Sequence, residues 1–227
     1  FAANGFGLYD MLGNVWEWVA DCWHGDFANA PGNGIVWAGG DCASRVLRGG
    51  SWSSSPRVLR AALRTEFGAE NRDYSDGLRV ALSLEGEPER EVAAVVPPAV
   101  TTAPAPDAYE SFRDCPDCPE MVVVPDGSFM MGSPESELER NDDEGPRQRV
   151  SIGAPFAAGR FAVTRDQFDA FVRATGHAIG STCWTWRDAE LEEVSGLTYH
   201  DPGFSQSGDH PVVCVSWDDA KAYTDWL

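Results

Sequence analysis

Residues 83–110 run Ser-Leu-Glu-Gly-Glu-Pro-Glu-Arg-Glu and then pass into a Val/Ala/Pro/Thr tract with prolines at 97, 98, 104 and 106. Each proline fixes φ and removes a backbone donor, and the tract carries no aromatic residue before Tyr109 with which to build a core. An extended linker is therefore expected. It divides the 227-residue chain into a Gly/Trp-rich segment, residues 1–82, and a second segment, residues 111–227. Any fold the chain adopts must be assembled from these two pieces.

Nine Trp and 23 Gly favour turn-rich structure with packed rings over a helical bundle. A formal charge of −19 argues against recognition of nucleic acid or anionic lipid through a basic surface, since the field repels phosphate. Cations are the more natural small partners. No apolar run approaches the ~20 residues that cross a bilayer, so membrane insertion is not expected.

Local signals place several elements. Arg45-Val46-Leu47-Arg48 and Leu78-Arg79-Val80-Ala81-Leu82 read as short strands between Gly-rich and Ser/Pro-rich turns. Residues 120–125 and 127–132 read as two strands of a hairpin around Pro125-Asp126-Gly127, where the glycine would supply φ > 0. The acidic stretch 141–146 reads as a solvated loop. Thr164-Arg165-Asp166-Gln167 is a capping box leading into a helix with Phe168, Phe171 and Val172 on one face. Ser216-Trp217-Asp218-Asp219 has the same form, and Ala220, Tyr223 and Leu227 share a face, so a helix is expected to run to the last residue, as in an excised piece. The sum is an α+β architecture.

Three stretches of the first segment carry a family resemblance: residues 4–18 (Asn-Gly-Phe-Gly-Leu-Tyr-Asp-Met-Leu-Gly-Asn-Val-Trp-Glu-Trp), residues 45–52 (Arg-Val-Leu-Arg-Gly-Gly-Ser-Trp) and residues 77–81 (Gly-Leu-Arg-Val-Ala). They resemble the C-terminal half of bacterial sulfatase-modifying-factor domains, the formylglycine-generating-enzyme-like family. Residues 120–133, the Val163-Thr164 helix start and residues 210–220 (His-Pro-Val-Val-Cys-Val-Ser-Trp-Asp-Asp-Ala) resemble that domain's N-terminal half. The resemblance implies a complex, C-type-lectin-like α+β fold with little regular secondary structure, present here as two partial halves in inverted order without the family's middle. A junction of two tandem domains and a trimmed circular permutant both give this order; the abrupt ends favour the junction. Neither half alone is expected to hold the fold.

As the resemblance implies, formylglycine synthesis needs a copper-binding cysteine pair shortly after the Arg-Gly-Gly-Ser-aromatic motif, where thiolates hold cuprous ion. Residues 51–60 contain no cysteine, and none occurs between Cys42 and Cys115. Copper is therefore not expected in this chain. Cys115-Pro116-Asp117-Cys118 has the spacing of half a zinc site or a redox dithiol, but it precedes a strand and reads as structural. Cys22 with Cys42, and Cys183 with Cys214, each flank a Trp- and Gly-bearing loop, where a disulfide would restrict the unfolded chain. Disulfide use points to an oxidising compartment, periplasmic or extracellular. The four histidines show no metal-ligand spacing.

The turn at Leu12, Asn14, Val15 and Glu17 offers an amide oxygen, a carboxylate and backbone carbonyls to a hard cation, and the resemblance implies a structural calcium there. The alternative has Asn14 capping a turn and Glu17 pairing with an arginine. Arg48, Arg60, Arg64 and Arg79 read chiefly as clamps on loop carbonyls. Residues 53–72 take the place of the family's active-site groove, and related lectin-fold receptors bind ligands there. Trp52, Ser53, Ser54, Ser55, Arg57, Arg60 and Arg72 are the expected ligand contacts, with a protein or small molecule as partner. The functional expectation is a calcium-stabilised binding or accessory module; the alternative is a larger protein whose formylglycine-generating oxidase activity toward a sulfatase cysteine resides in another domain copy.

Overall fold

A computed structural model describes residues 2–84, 109–188 and 190–227. Most of the expected linker, residues 85–108, lies outside the described residues. The first segment forms β1 (Trp16–Trp23), β2 (Asp41–Arg48), β3 (Arg64–Gly68), β4 (Asp76–Leu78) and β5 (Ala81–Ser83). After the linker come β6 (Ser111–Phe112), β7 (Met121–Val124), β8 (Gly127–Met131), β9 (Gln148–Ile152), β10 (Phe156–Gly159), α1 (Arg165–Thr175), β11 (Thr182–Arg187), β12 (Glu190–Ser195) and α2 (Trp217–Trp226).

One four-stranded sheet has the order β3-β2-β1-β4, and β4 lies parallel to β1. A second, β5-β10-β7-β6, is antiparallel and mixes strands from both segments, with Ala157 opposite Leu82. The segments also share one core. Trp18, Leu47, Leu78 and Val80 of the first pack with Met121, Ala157, Val163, Phe168, Phe171, Val212, Val215 and Tyr223 of the second. Burying such side chains contributes roughly 1.5–3 kcal/mol each, and either segment alone would leave its share of this core in water.

Both helices begin where the capping boxes placed them. Thr164 accepts from Gln167 N and Ser216 from Asp219 N, while the side chains of Gln167 and Asp219 return to the cap nitrogens. Gly176, in the left-handed region, closes α1. Leu227 departs from expectation: it caps the end of α2 and is exposed.

Three other local expectations are corrected. Met121–Val124 and Gly127–Met131 do not pair with each other: β7 lies between β10 and β6, and β8 pairs with β9. Gly127 does not take a left-handed φ, so the chain passes from one sheet to the next instead of turning back. Residues 78–82 are two strands, because at Arg79 and Val80 the chain leaves β1 and joins β10. The acidic stretch 141–146 is only partly solvated. It forms a short 3-10 turn, Asp142–Glu144, whose last residue is fully buried against Arg60.

Candidate functional site

The turn at residues 10–14 is built from strained backbone. Asp10, Gly13 and Asn14 all have positive φ, of 55°, 85° and 67°. Asn and Asp tolerate this region better than most side chains. Two backbone bonds fasten the turn to the Gly-Gly-Ser-Trp stretch: Gly13 N donates to Gly49 O at 2.9 Å, and Trp52 N donates to Asn14 O at 2.8 Å. Gly49 and Gly50 are left-handed in turn, at φ 92° and 74°. The geometry of Trp52 is thus set directly by the turn expected to hold a cation.

Glu17 is the second residue of β1 and faces Arg79. Its Oε1 accepts from Arg79 Nε at 2.8 Å and lies 2.7 Å from Nη2. Burial raises the Glu17 carboxyl above its usual range, with Arg79 pulling the other way and Asp10 adding to the rise. Asn14 Nδ2 donates to Asp10 Oδ2 at 3.5 Å. Asp10 thus joins Asn14 and Glu17 as an oxygen donor that the sequence reading passed over; its spacing, four residues before Asn14, was the available signal. Among the described residues no three His, Cys, Asp or Glu side chains gather as a cage, so a cation here would draw on Asp10, Glu17, the Asn14 amide and carbonyls such as those of Leu12 and Val15. An all-oxygen set of this kind suits a hard divalent ion, with Arg79 the competing cation.

The expected ligand contacts fall into two groups. Trp52 is 58% exposed and packs edge-on against Tyr74 (5.2 Å between centroids) and Phe204 (6.0 Å). The Ser53 and Trp186 side chains reach the Tyr74 hydroxyl, and Trp186 is itself exposed. Tyr74, Trp186 and Phe204 come from distant parts of the sequence and were not foreseen. Ser54 and Ser51 tighten the turn instead, Ser51 N donating to Ser54 Oγ at 3.0 Å. Ser55 precedes the 3-10 turn Pro56–Val58 and makes no side-chain cap bond; its carbonyl accepts from Val58 N at 3.0 Å.

The arginines are engaged elsewhere. Arg60 donates to Glu144 Oε2 at 2.6 Å and to its other oxygen, to Glu137 Oε1 at 2.9 Å and to Glu139 O at 2.8 Å. Arg72 Nε and Nη2 both lie 2.8 Å from Asp219 Oδ2, binding the start of α2, where His177 Nε2 meets Asp219 Oδ1 at 2.9 Å. Arg57 is exposed, 3.3 Å from Glu139. Arg48 holds the carbonyls of Ala61, Ala62 and Leu63, and Arg79 those of Gly159 and Tyr9. Arg64 lies over the rings of Trp23 and Phe27.

All six cysteines are paired, as Cys22–Cys42, Cys115–Cys118 and Cys183–Cys214. A cavity of about 520 Å³ lies apart from Trp52, between the Cys115–Cys118 loop and the start of α1, and its wall mixes Arg113 and Arg173 with Asp117, Glu120, Asp166 and Asp209. Among the described residues no helix is long and apolar enough to cross a membrane.

Residues 1–84 and 107–227 match the sulfatase-modifying factor enzyme 1-like domain. The chain belongs to that family. The formylglycine-generating enzyme of Thermomonospora curvata is 34% identical over 131 residues, covering 47% of this chain and 43% of the relative. The inactive C-alpha-formylglycine-generating enzyme 2 of Bos taurus is 29% identical over 132 residues, with 47% and 43% covered. A serine/threonine-protein kinase pkn1 from Chlamydia pneumoniae is 43% identical over 179 residues, 77% of this chain and 26% of the kinase. The solved structure of PvdO from Pseudomonas aeruginosa aligns with a TM-score of 0.44 and 41% identity, covering 52% of this chain and 42% of that one. This family member therefore spans about two-fifths of the length of the formylglycine-generating relatives it matches.

Proposed function

We propose that this domain is a calcium-stabilised ligand-binding or accessory module that has lost the family's oxidase chemistry, with the aromatic face around Trp52 as its ligand site. The observation that carries the reading lies after Arg-Gly-Gly-Ser-Trp. Serines occupy that stretch, and every cysteine of the chain is committed to a disulfide elsewhere. A hydroxyl is too hard and too weakly acidic to replace a thiolate toward cuprous ion. A relative named as inactive is consistent with a family that keeps the fold without the activity.

Calcium in this reading would neutralise Asp10 and Glu17 and stiffen the turn whose Asn14 carbonyl receives Trp52 N. Asn14 and the carbonyls would complete its oxygen shell, while Arg79 orients Glu17. Binding requires the Glu17 carboxylate, so affinity falls as pH drops through its raised range. The ligand face then offers ring surface from Trp52, Trp186 and Phe204 with the Tyr74 and Ser53 hydroxyls beside it. An oxidising compartment suits the three disulfides.

The test is a calcium titration followed by ligand screening on the whole protein. Calcium is expected to raise the melting temperature, E17Q to abolish that rise, and W52A to weaken any ligand found by roughly ten-fold or more. An unchanged melting temperature at millimolar calcium would remove the metal, and ligand binding indifferent to W52A would remove the face. The second reading, a formylglycine-generating oxidase carried by another domain copy, is motivated by the partial coverage of the named enzymes. Copper(I) binding and conversion of a sulfatase peptide's cysteine by the longer protein would establish it.

A further inference from the structure

The three disulfides differ in what surrounds their sulfurs. Cys183 and Cys214 are fully buried. Cys115 and Cys118 are half-buried in a surface loop, where Arg113 Nη1 donates to the Cys118 carbonyl at 2.9 Å and not to a sulfur. Cys22–Cys42 is asymmetric: Cys42 is exposed, whereas Cys22 is 2% exposed on β1. Arg45 stands opposite Cys22 across the β1–β2 ladder. Its Nη1 is 3.2 Å from Cys22 Sγ and also donates to Ala20 O at 3.0 Å, and its guanidinium lies 3.7 Å over the Trp217 ring. Its buried Nε has no partner among the described residues.

A disulfide sulfur is a weak acceptor, and a thiolate is a charged one that a guanidinium serves well. The cation is thus placed for the reduced state of Cys22. A better-stabilised thiolate is a better leaving group, and exchange requires the attacking thiol to reach the other sulfur in line. Exposure of Cys42 supplies that approach.

We propose that Cys22–Cys42 is a thiol–disulfide exchange site for low-molecular-weight thiols, entered at Cys42 with Cys22 leaving as a thiolate onto Arg45. An incoming thiolate forms a bond to Cys42 Sγ, the Cys22–Cys42 bond breaks, and its electron pair remains on Cys22. A second thiol attacks the mixed disulfide, releasing the small-molecule disulfide and freeing Cys42. Two thiols are oxidised, one protein disulfide is reduced, and the protons pass through solvent. In the reverse direction Cys22 thiolate attacks a mixed disulfide on Cys42 and restores the bond.

The experiment exposes the whole chain to glutathione at graded reduced-to-oxidised ratios, quenches with acid, alkylates, and reads each cysteine by mass spectrometry. Cys22–Cys42 is expected to open while Cys183–Cys214 stays closed, with the trapped glutathione adduct on Cys42. Arg45→Met is expected to slow that opening by about ten-fold, the scale of a lost hydrogen bond to a charged group, and Arg45→Lys to recover part of it. The Cys115–Cys118 rate, which owes nothing to Arg45, should not change in either variant. Opening of Cys22–Cys42 no sooner than Cys183–Cys214, an adduct on Cys22, or indifference to Arg45→Met would overturn the proposal. Should Arg45→Met unfold the protein, Cys183–Cys214 will open as well, and the position of the adduct in the unsubstituted chain then decides.

Discussion

Glu144 and Asp76 are both carboxyl side chains removed from water, and the two regions hold them in opposite ways. Glu144 ends the 3-10 turn Asp142–Glu144 against Arg60, and its Oε1 also accepts from Asn141 N at 3.1 Å. Burial alone would raise its carboxyl; the Arg60 and Asn141 donors outweigh burial and hold it below the usual glutamate range. Asp76, on β4 beside Trp16, has another carboxylate, Asp73, as its charged neighbour. Burial first, and Asp73 second, push Asp76 well above the aspartate range. Asp73, itself raised by burial, accepts from Ser75 N and Oγ at 2.8 and 2.7 Å. The first region uses charge to join the two chain segments; the second disfavours the charged form of a carboxyl by burial and by a neighbouring carboxylate.

The largest expected effect comes from breaking the first arrangement. Arg60→Ala leaves the Glu144 carboxylate buried without a countercharge and with Asn141 N as its one backbone donor, a change that costs about 3–5 kcal/mol when a buried pair loses one partner. A denaturant melt at neutral pH should show it. The wild-type pair adds stability that is present above the ordinary glutamate value and is lost as pH falls through the lowered one, so the variant should also lose that acid-side slope. Arg72→Ala should follow at about 2–3 kcal/mol, because Asp219 keeps His177 and Ser216 N as partners. A loss for Arg72→Ala equal to that for Arg60→Ala would mean that the number of remaining partners does not set the cost.

These pairs also mark what the sequence discloses. The capping boxes of α1 and α2 are legible because their bonds close within three residues, Thr164 with Gln167 and Ser216 with Asp219. The arginines read as clamps on loop carbonyls behave so at Arg48 and Arg79. Arg60 and Arg72 look alike in sequence to a ligand-facing arginine, and only contacts across 84 and 147 residues place them on Glu144 and Asp219. The hairpin expected at Gly127 is missed for a related reason: local turn chemistry permits it, but β7 finds its partners in β6 and β10. At the candidate site Trp52 was legible from its motif, while Tyr74, Trp186 and Phe204 meet it only through the fold.

Breaking the second arrangement should have the opposite sign. A carboxyl raised in the folded state binds more protons there than in the unfolded chain, so wild-type stability falls as pH rises from the ordinary aspartate value through the raised one. Asp76→Asn keeps the shape, removes the titration and should flatten that decline, with the variant gaining on the wild type as pH increases. Parallel melts across pH 4 to 9 (roughly the working range of such assays) would measure it. A variant losing stability at every pH would mean that the Asp76 carboxylate is charged and partnered, the arrangement of Glu144 repeated.

The smallest effect on stability is expected at Trp52. Its ring is more than half exposed and touches Tyr74 and Phe204 only edge-on, so Trp52→Ala should cost no more than about 1 kcal/mol. The backbone bond from Trp52 N to Asn14 O survives the substitution. A loss near that of Arg60→Ala would make Trp52 a member of the core, and the aromatic face would then owe its exposure to packing geometry alone. A small loss in stability combined with a large loss in ligand affinity separates the two roles: arginines that bind the segments to each other, and a ring left free to bind something else.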